Sequence, residues 1–243
     1  SVACANEWKH GICYKPQIKC SDCKSRQLLP ITQEVLYSHL TGQKVIGIYP
    51  LLATDQCRLL AVDFDKSDWK NCVTAFSEAC LSLNIPFLVE RSRSGNGAHV
   101  WIFFSEPIAA KQARLMGAGI LDKAMELYPA LDFESYDRMF PNQDHMPAGG
   151  FGNLIALPLQ KHARALGNST FIDSNFNAFT DPWTVLQQTE LMSSSEVNNI
   201  VNELGYNFIE QNQTDVDHEA PWVKNIPKKN QKIAGCPDAI ELV

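Results

Sequence analysis

The chain has 243 residues, 45% hydrophobic and 20% charged, with 13 glycines, 13 prolines and a formal charge of −6. That length suits one large domain, or a domain with a small module, and the composition excludes collagen-like, coiled-coil and wholly disordered chains. No apolar run approaches the roughly 20 residues of a membrane span, and the N-terminus lacks the apolar core of a signal peptide, so no membrane association is expected.

Residues 1–30 have little periodicity but are rich in Cys, Lys and Pro. Lys9, Lys15, Lys19, Lys24 and Arg26 stand against Glu7 and Asp22, a local excess of +3 in an acidic chain. Cys4, Cys13, Cys20 and Cys23 follow the spacing Cys-x8-Cys-x6-Cys-x2-Cys. Four thiolates ending in Cys-x2-Cys suit tetrahedral Zn²⁺ in a closed, structural site, with His10 the alternative ligand if Cys4 lies too far out. The lysines around this knuckle could also touch a nucleic-acid backbone. Cys57, Cys72, Cys80 and Cys236 are scattered, and single cysteines in apolar patterns behave as small hydrophobes. So uneven a spread favours a reducing, cytoplasmic compartment over a secreted disulfide scaffold.

Thr32 can cap a helix over 33–41 that stops at Gly42. Strand patterns follow at Val45–Pro50, Arg58–Asp65, Ile85–Arg91 and His99–Phe104. Between the second and third of these, Trp69, Val73, Phe76, Cys80 and Leu83 recur at helical spacing. A helix is expected over Ala109–Leu127, strands at Phe133–Asp137 and Asn153–Leu159, and helices at Pro182–Leu191 and Ser193–Leu204. Strands alternating with helices, with hairpin-like pairs later on, give an α+β (or α/β) fold. The expected organisation is a knuckle at 1–30, a core at 31–210 and a polar linker at 211–243. The apolar run that begins at Ile240 hints at a longer protein.

Three constellations could carry chemistry. In Leu59–Asp65, strand alternation puts Asp63 and Asp65 on one face and Val62 and Phe64 on the other. Two like charges at the end of an apolar strand repel one another, and a hard divalent cation such as Mg²⁺ relieves that cost. The plain alternative is a strand end whose acids face solvent or cap the next helix. The second constellation runs from Glu90 to His99. Gly95 and Gly97 permit a tight turn that offers N–H groups to an anion. Arg91 and Arg93 could grip phosphate, with Ser94, Asn96 and His99 beside them. The plain alternative is a charged hairpin. The third runs from Ser135 to Asp144 and on to Lys161. Asp137 could complete a three-carboxylate cluster, with Asp132 and Asp144 as rivals. Gln160, Lys161 and Arg164 could reach a nucleotide.

Asp63/Asp65, the Ser-Gly-Asn-Gly-Ala-His turn and Asp137 together resemble the motifs of the archaeo-eukaryotic primase superfamily. The likeness is closer still to its branch of primase–polymerase domains in TOTE conflict systems and CRISPR-associated prim-pols. It runs through Cys4–Trp8, Gly47–Pro50, Ala61–Lys66, Arg91–Trp101, Tyr136–Asp144 and Gly149–Lys161. The resemblance implies an RRM-like half packed on an α/β half. It implies template-directed nucleotidyl transfer on single-stranded DNA, with Asp63, Asp65 and Asp137 holding two Mg²⁺ or Mn²⁺ ions. It further implies that His99, Ser94 and the turn's amides hold the incoming nucleoside triphosphate, helped by Arg93 and Lys161. A zinc-binding element and a linked or associated helicase also belong to that pattern. Two other readings fit parts of the chain. One is a phosphohydrolase with Asp63 as nucleophile, although Ser67 stands where such enzymes usually carry Thr or Val. The other is a non-catalytic zinc module that recruits nucleic acid.

Overall fold

The computed structural model describes residues 3–206. The expected linker at 211–243 lies outside the described residues. Residues 3–29 are a knuckle of turns, closed by hydrogen bonds from Ala5 N–H to Gln27 O (2.8 Å) and from Leu29 N–H to Ala3 O (3.1 Å). Helix α1 (Gln33–Leu40) starts as its cap requires, with Thr32 Oγ1 accepting from Val35 N–H. His39 is buried, and its Nδ1 accepts from Ile46 N–H at 3.1 Å. Its Nε2 bonds Pro158 O at 3.0 Å, tying α1 to a segment more than 100 residues on in the chain.

The centre is a five-stranded antiparallel sheet of β2 (Gln56–Phe64), β3 (Leu88–Arg91), β4 (Ala98–Ala109), β5 (Tyr136–Phe140) and β7 (Thr170–Ile172). Its order is β5-β2-β4-β3-β7. Helix α2 (Trp69–Ser82) joins β2 to β3, and α3 (Ala110–Leu127) joins β4 to β5. The result is a β-α-β-β-α-β unit of the split βαβ kind. α2, α3 and α6 (Ser194–Glu203) bury their apolar faces against one side of this sheet, around Leu60, Val62, Phe64, Phe76, Val100 and Ile120. The other side carries a smaller core of Ala61, Leu88, Trp101, Phe140, Ile155, Leu159 and Phe171. Part of its cover is a two-stranded sheet of β1 (Gly47–Ile48) and β6 (Ile155–Ala156), and α5 (Pro182–Gln188) contributes Val185 and Leu186. The mixed α/β class is therefore as expected, with every paired strand antiparallel among the described residues.

Several boundaries differ from the sequence pattern. β4 runs on through Pro107 to Ala109, because the β2–β4 register shifts between Cys57 and Leu59. A proline in such an irregular stretch forfeits no ladder hydrogen bond. β5 begins three residues later than the apolar pattern, and the wide strands expected at 45–50 and 153–159 shrink to the short β1 and β6. β7 and the one-turn α4 (Lys161–Arg164) are unforeseen. The helix over 194–203 carries a full capping box between Ser193 and Glu196. No helix of the described residues is long and apolar enough to cross a membrane.

Candidate active site

β2 lies between β4 and β5, so its C-terminal end meets groups from both. Asp63 pairs in register with His99 on one side and Arg138 on the other. The β2–β5 register then shifts between Asp63 and Phe64, so that Phe64 pairs with Tyr136 and Asp137 falls in the irregularity. Bulges of this kind re-aim a side chain, and this one brings Asp137 within electrostatic reach of Asp63. Asp65 follows the strand end, held by its N–H to Ser135 O at 2.7 Å. Its Oδ1 is buried and has no hydrogen-bond partner.

Burial raises the pKa of Asp63 above the ordinary carboxylate value. The charges of Asp137 and Asp65 push the same way, against His99 and Arg138. Arg138 Nε donates to Asp137 Oδ2 at 2.5 Å, and its guanidinium also feels Asp63 and Asp65. One cation thus already serves all three aspartates. The rival acids are engaged elsewhere: Asp132 Oδ1 accepts from Glu134 N–H at 3.0 Å, and Asp144 is ion-paired with Arg114 of α3.

The glycine-rich turn packs straight onto this strand end. A Cβ on Gly97 would lie 2.4 Å from Phe64 O and 3.2 Å from Asp65 Cα, so only glycine permits the approach. Gly95 takes φ +81°, and the turn closes through Ser92 N–H to Gly97 O (2.9 Å) and Gly95 N–H to Ser92 O (3.0 Å). Ser94 Oγ accepts from Asn96 N–H at 3.2 Å. His99 follows on β4, with Nε2 3.4 Å from Asp63 Oδ1 and Nδ1 3.0 Å from Glu90 Oε2. Burial lowers the proton affinity of His99, but the hydrogen bond and charge of Glu90, together with Asp63, outweigh it. Its pKa lies above the ordinary histidine value.

The other expected nucleotide contacts separate into two groups. Arg93 is exposed in the turn and Lys161 is exposed at the start of α4. Arg91 leaves β3 on the face opposite Glu90 and donates to Phe176 O at 2.5 Å, so the structure does not bring it to the acids. Gln160 is buried, and its Oε1 accepts from Ala163 N–H at 3.0 Å as the cap of α4. Sequence reasoning gave no role to Arg138 or Glu90. Arg138 could have been found from its place beside Asp137, whereas Glu90 gave no such signal.

In the knuckle, Cys4, Cys13, Cys20 and Cys23 all line one cavity of about 30 Å³ together with Ile12, Ile18 and Leu28. Cys4 Sγ accepts from the N–H groups of Asn6 (3.4 Å) and Gln27 (3.2 Å). These soft donors around an ion-sized space fit Zn²⁺. At the acidic end, the orphaned Asp65 oxygen and the mutual repulsion at Asp63 are hard-oxygen chemistry that fits Mg²⁺ or Mn²⁺. Among the described residues no three His, Cys, Asp or Glu side chains already stand as a formed ligand cluster. Either ion would therefore have to draw its ligands inward.

An antiparallel sheet that ends in acids beside a glycine–histidine turn defines a mixed α/β domain with a candidate site at the end of its central strand. Residues 1–200 match the family described as the archaeo-eukaryotic primase domain of the TOTE conflict system, and the chain belongs to that family. The family is one of primase-like nucleotidyltransferases, which implies nucleic acid and nucleoside triphosphates as substrates. No curated protein matches the chain.

Proposed function

We propose that the protein is a primase–polymerase that starts and extends strands on a single-stranded DNA template. The observation that supports this reading is that Asp137 and Asp65 lie within electrostatic reach of Asp63 at one strand end, against which Gly97 packs the turn leading to His99. Asp63, Asp65 and Asp137 would hold the divalent ions. Bound Mg²⁺ or Mn²⁺ supplies a lowered pKa at the attacking 3′-hydroxyl and neutralises charge on the departing pyrophosphate. The chain's own part is to orient. The turn at residues 94–97 and the Nε2 edge of His99 would take the triphosphate beside the acids, while the N–H groups of Gly95 and Asn96 hold the turn itself, bonded to Ser92 O and Ser94 Oγ. Arg93 and Lys161, both exposed, would bind its outer oxygens. Zn²⁺ on Cys4, Cys13, Cys20 and Cys23 would staple the knuckle and take no part in the chemistry. The β-α-β-β-α-β order supports an RRM-like half, and the elements around β1 and β6 would belong to the second half.

The test is incorporation of labelled nucleotides on a single-stranded template with Mn²⁺. Wild type should yield template-dependent product, and Asp63→Asn or Asp65→Asn should abolish it. Phosphate release without a template would point to the phosphohydrolase instead. Nucleic-acid binding that depends on zinc and ignores both substitutions would point to a non-catalytic module.

A further inference from the structure

We infer that Glu90 is a positioning residue that sets the imidazole of His99 for the incoming nucleoside triphosphate. The inference rests on the nucleotide-binding role proposed above for His99. Glu90 lies on β3, on the same sheet face as Asp63 and His99, and is only 2% exposed. A carboxylate closed off from water is costly unless its oxygens find donors. Here three donors converge on it, two from β4 and one from the segment before β7. Oε2 accepts from His99 Nδ1 at 3.0 Å and from Trp101 Nε1 at 2.9 Å. Oε1 accepts from Ser169 Oγ at 3.4 Å.

Trp101 is 1% exposed and meets the His99 ring edge-on, with centroids 6.0 Å apart. Glu90 therefore fixes the ring and the wall it leans on at once. With Nδ1 taken, the ring cannot flip without breaking that bond, and Nε2 is the edge left facing Asp63. This is the arrangement by which a second carboxylate orients a functional imidazole. An apolar side chain could fill the same space on β3, but it would leave three buried donors without partners. Merely stitching β3, β4 and the segment before β7 together is the competing role, and it makes different predictions.

Glu90→Gln keeps the shape, and its single carbonyl oxygen can still accept from both His99 and Trp101, which already share Oε2. Glu90→Leu keeps bulk and removes every acceptor. The dissociation constant of the Mn²⁺–nucleoside triphosphate should rise roughly tenfold in Glu90→Leu and stay within roughly threefold in Glu90→Gln. In a His99→Ala background, Glu90→Leu should add nothing more. Nitrogen-15 spectra of the wild-type ring should show a proton held on Nδ1 in a hydrogen bond, absent in Glu90→Leu and retained in Glu90→Gln. Equal effects of Glu90→Leu with and without His99, or a ring with no hydrogen-bonded Nδ1 proton, would overturn the inference. If wild type binds no nucleotide, the proposed function fails, and the ring spectra alone decide the place of Glu90.

Discussion

Replacing Gly97 by alanine tests how the turn is seated on the acidic strand end. The added Cβ would stand 2.4 Å from Phe64 O, whereas ordinary contact begins near 3.4 Å. The obstacle is main chain on the sheet's central pairing, so the turn must retreat by about 1 Å. Overpacking costs about 1–3 kcal/mol, and a backbone obstacle places this case near the upper end. For a domain of this size that is a fall in melting temperature of about 6–12 °C. A displacement of about 1 Å at a reacting centre also costs on the order of 100-fold in rate. Circular dichroism melts and nucleotide incorporation by the same preparation measure both. Gly95→Ala is the control. Its alanine would carry the strain of positive φ, which Gly97 does not have, but the group it meets is the movable side chain of Asn168, so its loss of incorporation should be much the smaller. A Gly97→Ala protein that melts with wild type and incorporates at the wild-type rate would refute the seating argument.

Metal analysis should find one zinc per chain, lost in Cys13→Ser and Cys20→Ser and kept in His10→Ala; equal zinc in all of them would remove the knuckle site. Ser193→Ala should cost about 1 kcal/mol by opening the capping box of α6, read as a shift of about 2–4 °C in melting; no shift would mean that the cap is redundant. The raised pKa of His99 means that its contribution to stability is fully present below the unfolded value of about 6.5 and is lost as pH rises through the folded value. Denaturant unfolding of metal-free protein should therefore show wild type losing stability relative to His99→Gln over that rise. An unchanged difference would contradict the hydrogen bond to Glu90.

Much of the sheet was legible because its central strands carry strong patterns. Leu59–Phe64 and Val100–Phe104 have apolar residues on both faces, and both faces of the sheet are in fact covered. Trp69–Leu83 kept helical period and formed α2. β7 has only three residues, all buried, and so short a run has no period to read. The third acid shows the limit most clearly. Spacing could not choose among Asp132, Asp137 and Asp144, because the choice depends on the register irregularity between β2 and β5, a pairing of segments more than 70 residues apart. Arg91 and Arg93 read together as a grip on phosphate, but the strand ends at Arg91, so alternation does not put them on one side. Glu90 looked like an ordinary charged residue because its partners, His99, Trp101 and Ser169, lie 9, 11 and 79 positions away.

The claim on which the account rests is that the bulged Asp137, with Asp63 and Asp65, forms the cation site. Electron paramagnetic resonance titration of Mn²⁺ reads this directly, with or without turnover. Wild type and Asp132→Asn should bind alike, and Asp137→Asn should bind at least roughly tenfold more weakly for want of one carboxylate. Undiminished Mn²⁺ binding by Asp137→Asn, or its loss in Asp132→Asn, would contradict the account.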